Sequence, residues 1–202
     1  MDARQAARTL EMIRTLMERT CQYQLLTARA GLAAGCLAGV GSLLFLFLDP
    51  ANRIDFVAVW SLVLLGSLLA TLMGTVMRGR ERGERVWSRQ ARAVLWNLAP
   101  SLFAALALTG YFVDQGKHLW LPGVWMMCYG QGALATSAYA PRSIRWLGVA
   151  FLPLGALTLW LGPNWATPMM GLVFGLGHIG LGIFLLIQER RESGLRLHRS
   201  VA

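Results

Sequence analysis

The sequence predicts an all-α, polytopic membrane protein whose six transmembrane helices form three antiparallel hairpins. Three observations carry this expectation. Of 202 residues, 55% are hydrophobic and only 14% charged, where a soluble domain carries about a quarter charged residues. Six stretches rich in Leu, Ala, Gly, Val and Phe lie at 30–48, 56–77, 93–113, 119–140, 143–162 and 166–187, each long enough to cross roughly 30 Å of hydrocarbon at about 1.5 Å per residue. The basic residues are also one-sided. Seventeen of 19 lie in the N-terminal segment, the loops after the second and fourth stretches and the C-terminal tail, leaving Arg53 and Lys117 for the other loops. Basic loops are retained in the cytoplasm, so both termini are expected on the cytoplasmic side of a bacterial inner membrane. The remaining residues leave no room for a soluble catalytic domain.

Residues 1–29 are expected to form a cytoplasmic amphipathic helix. Ala3, Ala6, Leu10, Ile13, Met17 and Thr20 share one helical face, with Arg4, Arg8, Glu11, Arg14, Thr15 and Glu18 opposite. Such a helix lies in the headgroup region, and a short seam with a partner helix is its alternative. Residues 30–187 make the membrane domain. Gly31, Gly35 and Gly39 in the first span, Gly66, Ala70 and Gly74 in the second, and Gly171 and Gly175 in the sixth present small faces for close contact, within one chain or between copies in a homo-oligomer. Short outer connections predict the three hairpins. Trp60, Trp120, Trp160 and Trp165 fall near the outer boundary, and Trp87, Trp96 and Trp146 near the inner one, as interfacial belts do. Pro100, Pro122, Pro153 and Pro168 are hinge candidates. Residues 188–202 form a basic cytoplasmic tail.

The net charge of +9 would raise the question of nucleic acid in a soluble protein. Here the arginines flank the spans, so no nucleic-acid partner is expected and the partner is the anionic inner leaflet. Arg78, Arg80, Arg82, Arg85, Arg89, Arg142 and Arg145 are the candidate contacts to lipid or to a cytoplasmic protein. Cys21, Cys36 and Cys128 are odd in number and read as free thiols.

The spans hold no Asp, Glu, Lys or Arg well inside the hydrocarbon, which removes the buried acids that proton-coupled transport and carboxylate chemistry need. His178 is the one ionisable residue near mid-bilayer. Tyr129, Gln131 and Cys128, at similar depth in the fourth span, complete a candidate polar cluster. A neutral imidazole bonded to a neighbouring helix explains it without chemistry. An intramembrane serine protease would need a Gly-x-Ser-x-Gly-like nucleophile where the fourth span reads CYGQGALATSAYA. Haem would need a second axial ligand. No cofactor, metal or catalytic residue is therefore expected.

The strings IRTLMERT, APRSIRWLG with the following FLPLG, and GLGHIGLGIFLL resemble a group of uncharacterised bacterial integral membrane proteins with a short amphipathic N-terminal helix and six spans. The resemblance implies no activity and marks Arg142, Arg145 and His178 as positions to test. The expected function is a non-enzymatic membrane scaffold or sensor engaging anionic lipid or a cytoplasmic protein. The alternative is an oligomeric transporter or channel for a small neutral or apolar solute. A third reading, an intramembrane enzyme, would rest on His178.

Overall fold

The computed structural model describes Gln5 and residues 27–83 and 85–200, with side chains through Arg190. Most of the amphipathic N-terminal segment therefore lies outside the described residues. Among the described residues the chain is all α, without strands.

Helix α1, Ala28–Leu44, starts where Thr27 caps the Ala30 amide. Helix α2, Arg53–Arg82, starts at Asn52, whose side chain accepts from Ile54 and Asp55, and stops at Gly83 with φ +64°, a left-handed turn that favours glycine. Helix α3, Arg89–Asp114, begins at its Ser88 cap. A short 3₁₀ turn, His118–Trp120, leads into α4, Leu121–Thr136, and α5 spans Arg142–Leu161. Helix α6 is composite: a turn at Ala166–Met169 holding Pro168, a π-helical stretch at Met170–Leu176, and Gly177–Ser200. Of the hinge candidates, Pro168 is the one followed by a change of helical pitch. Pro100 and Pro153 sit inside uninterrupted helices.

Among the described residues, four helices are long and apolar enough to cross a membrane: Arg53–Arg82, Arg89–Asp114, Arg142–Leu161 and Pro163–Arg190. The first and fourth expected spans are shorter than their apolar runs. With 17 and 16 residues, α1 and α4 reach only about 25 Å. Each stops in a turn ahead of a proline, Pro50 and Pro141 respectively.

Side chains and glycines set the packing. Gly74 of α2 meets Thr27 and Ala30, while Gly41 meets Trp60 and Val63, so α1 and α2 run antiparallel. Gly31 faces Gly182 and Ser42 donates to the Thr167 carbonyl, so α1 and α6 do too. Gly132 lies on Leu98 and Ser101 of α3, and Trp125 donates to Thr109, again antiparallel. Between α4 and α5, Gly123 approaches the Gly155 carbonyl and Gly130 the Gly148 carbonyl. The bundle is two glycine-packed triplets, α2-α1-α6 and α3-α4-α5. They meet through an aromatic core containing Phe56, Trp60, Met126, Phe151 and Val173.

Of the small faces expected in the first and sixth apolar stretches, Gly31, Gly35, Gly171 and Gly175 lie against the facing helix inside the chain, whereas a Cβ on Gly39 would meet nothing within 4 Å. Outward faces are apolar: Leu62, Leu65, Leu69 and Leu72 of α2 are all exposed, as are Phe103 and Leu106 of α3. Trp87, Trp96, Trp146, Trp160 and Trp165 are exposed near helix ends. Trp60 departs from the expected belt. It is buried, stacked on Phe45 and against Phe56, because the start of α2 turns this face toward the other triplet.

Candidate functional site

Two features stand apart from the apolar framework: the polar pair inside the bundle and the arginines at one end.

His178 follows the π-helical stretch by two residues. Its Nδ1 lies 2.9 Å from the Phe174 carbonyl, inside that stretch, and its Nε2 lies 2.8 Å from the Tyr129 hydroxyl of α4. A carbonyl only accepts, so Nδ1 carries the proton. In the neutral ring Nε2 is then the acceptor and the tyrosine hydroxyl donates to it. Three aromatic rings enclose the imidazole. Phe174 stacks on it at 5.9 Å, Phe151 meets it edge-on at 5.9 Å, and Tyr129 is tilted at 5.3 Å. Tyr129 belongs to one triplet and His178 to the other, so their bond ties the two together.

Of the other residues in the expected cluster, Cys128 is buried on α4 and Gln131 is exposed. Both ring nitrogens of His178 are already engaged, by Tyr129 and by the Phe174 carbonyl, and neither Cys128 nor Gln131 takes part. Tyr129 and Gln131 are two residues apart on a helix, about 200° around its axis, so a single rotation cannot point both inward. Among the described residues no group of three His, Cys, Asp or Glu side chains could hold a metal ion.

The antiparallel contacts bring the starts of α1, α3 and α5 and the ends of α2, α4 and α6 to the same end of the bundle. There lie Arg29, Arg80, Arg82, Arg85, Arg89, Arg92, Arg142, Arg145 and Arg190, all exposed, with Arg78 half-buried. Arg78 Nη2 donates to Glu189 Oε1 of α6 at 2.5 Å. The opposite end carries Asp49, Asp55, Asp114, Arg53 and Lys117. There Arg53 Nη1 donates to the Val113 carbonyl and His118 Nε2–H to the Pro50 carbonyl, which pins the loop after α1 and the loop after α3 together.

Sequence reasoning passed over three of these features. The seven-residue spacing of Gly123 with Gly130, and of Gly148 with Gly155, was a readable signal, since that repeat returns to one helix face. His118 is buried against Phe56, and its place in a short loop gave no hint of that. The Arg78–Glu189 pair joins residues 111 positions apart, and no local pattern announces it. Compared with known protein families, curated proteins and solved structures, the chain matches none.

Proposed function

We propose that this protein is a six-span scaffold or sensor of a bacterial inner membrane, without catalytic activity, whose arginine-bearing end faces the cytoplasm and engages anionic lipid. The observation that carries the reading is the gathering of exposed arginines from five helices and a loop at one end of the bundle. A headgroup phosphate is the shared chemistry those guanidinium groups recognise. The short α1 and α4 complete the six spans. Each is flanked by two neighbours, α1 by α2 and α6 and α4 by α3 and α5, so longer helices surround the ends that fall short of full bilayer thickness.

The interior supports a packing role for His178. Every polar atom of its side chain is engaged within the chain, and a satisfied buried group needs no ligand to explain it. The glycine contacts bring backbones close enough to give a stiff platform for the charged end.

Native mass spectrometry of the full chain released from mixed phosphatidylcholine and phosphatidylglycerol nanodiscs tests the reading. The protein should retain phosphatidylglycerol selectively, and less so as salt rises. Replacing Arg80, Arg82, Arg85 and Arg89 by Gln should weaken retention by about fivefold per arginine. Equal retention of both lipids by the parent, or no loss in the variant, would overturn it.

A further inference from the structure

Four consecutive residues of α4 take four directions. Tyr129 reaches His178 of the other triplet, Gly130 packs on the Gly148 carbonyl of α5, and Gly132 packs on Leu98 and Ser101 of α3. At about 100° per residue, Gln131 is left with the fourth direction, away from the aromatic core and from both neighbouring helices. It is exposed there, and among the described residues its carboxamide has no hydrogen-bond partner.

Other polar side chains of the apolar helices close on their own backbone. Asn97 donates to the Ala93 carbonyl, Ser67 to that of Val63, Thr109 to that of Ala105 and Thr158 to that of Leu154. Gln131 makes no such bond, although it lies only about 3 Å along the helix axis from Tyr129 and so near the depth of the His178 bond. Its Cβ leans toward the start of α4, at the arginine-poor end, which directs the side chain away from the headgroups beside the arginines. An amide without a partner in hydrocarbon is costly.

A carboxamide is self-complementary, since its NH₂ donates and its carbonyl accepts. A two-fold axis along the membrane normal would set Gln131 opposite itself at equal depth, where two such groups satisfy each other. The surrounding face permits the approach. Val124, Met127 and Ala135 lie within about 40° of Gln131 around α4, the first two half-buried and Ala135 exposed. Val124 and Gln131 are seven residues apart, the repeat of a helix–helix seam, in which one polar residue fixes the register and the number of helices.

We propose that Gln131 joins two copies of this chain, α4 against α4, through a reciprocal pair of carboxamide hydrogen bonds within the membrane. The pairing requires α4 to cross the bilayer, as the six-span reading above has it, and adds an assembly that the reading does not contain.

Sedimentation equilibrium of the full chain in density-matched detergent measures the association. The parent should form dimers, Gln131→Leu should weaken them about tenfold, and Gln131→Asn, which keeps a carboxamide, should recover most of the loss. In phosphatidylcholine vesicles, with Cys21, Cys36 and Cys128 replaced by Ala, Ala135→Cys should form a disulfide between copies on oxidation, and adding Gln131→Leu should lower its yield. Gln131→Cys in the same background, kept reduced, should not react with a water-soluble maleimide in opened vesicles. A monomeric parent, or a Gln131→Leu variant that associates as tightly as the parent, would overturn the pairing and, with Gln131→Cys unreactive, leave the six spans standing. Reaction of Gln131→Cys would place α4 in water and overturn both.

Discussion

Gly35→Ala should destabilise the bundle by about 2–3 kcal/mol, whereas Gly39→Ala, one turn along the same stripe, should be neutral or stabilise it by up to about 1 kcal/mol. The difference comes from what each new methyl meets. A Cβ at Gly35 would sit 2.6 Å from the Gly175 carbonyl and 2.7 Å from the Ile179 amide nitrogen. These are backbone atoms of α6 that cannot rotate away, so α1 and α6 must separate along their length. Nothing lies within 4 Å of a Cβ at Gly39, and alanine there gains helix propensity. Gly148→Ala should behave like Gly35→Ala, because its Cβ would approach the Gly130 carbonyl at 2.9 Å and pry α5 from α4. Unfolding in mixed detergent micelles, followed by tryptophan fluorescence, measures all three. Equal stability of the Gly35 and Gly39 variants would mean that the α1–α6 contact is not the close one described.

His178→Leu should cost about 1–2 kcal/mol, more than either His178→Gln or Tyr129→Phe, each at about 0.6 kcal/mol. Leucine fills similar volume among Phe151, Phe174 and Tyr129 but leaves the Tyr129 hydroxyl and the Phe174 carbonyl without their imidazole partner. Glutamine can replace one of the two bonds, and Tyr129→Phe removes only one. Combining Tyr129→Phe with His178→Leu should then add little to His178→Leu alone, because the shared bond is already gone. Stability of the four variants in detergent gives the cycle. If His178→Gln and His178→Leu match the parent in stability yet share one complete loss of phenotype, the imidazole has a chemical task and the packing account fails.

How far these features were legible before the structure follows from which forces are local. A bilayer demands long apolar runs, so helix positions and the charge asymmetry are written into composition. The depth of His178 is a matter of counting from the ends of its span, and it narrows the partners to the polar residues of the fourth. Choosing among Tyr129, Gln131 and Cys128 requires the rotation of α4, and that helix is apolar or small around its whole circumference, so no periodicity reports it. The π-helical stretch is likewise silent. Met170–Leu176 is as apolar as any ordinary turn, and its widened pitch appears only with Pro168 before it, Ser42 on the Thr167 carbonyl and His178 on that of Phe174. The early ends of α1 and α4 are hidden inside apolar runs, because irregular turns there use the same residues as helices.

The account depends above all on the arginine-bearing end facing the cytoplasm, and labelling by an impermeant thiol reagent tests that most directly. Single cysteines at Asn52, Gly116 and Asn164, all in loops at the arginine-poor end, should react in intact cells. A cysteine at Ser88, the cap of α3 amid Arg85 and Arg89, should react only after the membrane is opened. Reaction at Ser88 in intact cells, with protection at the other three, would place the arginines outside and contradict the proposed function.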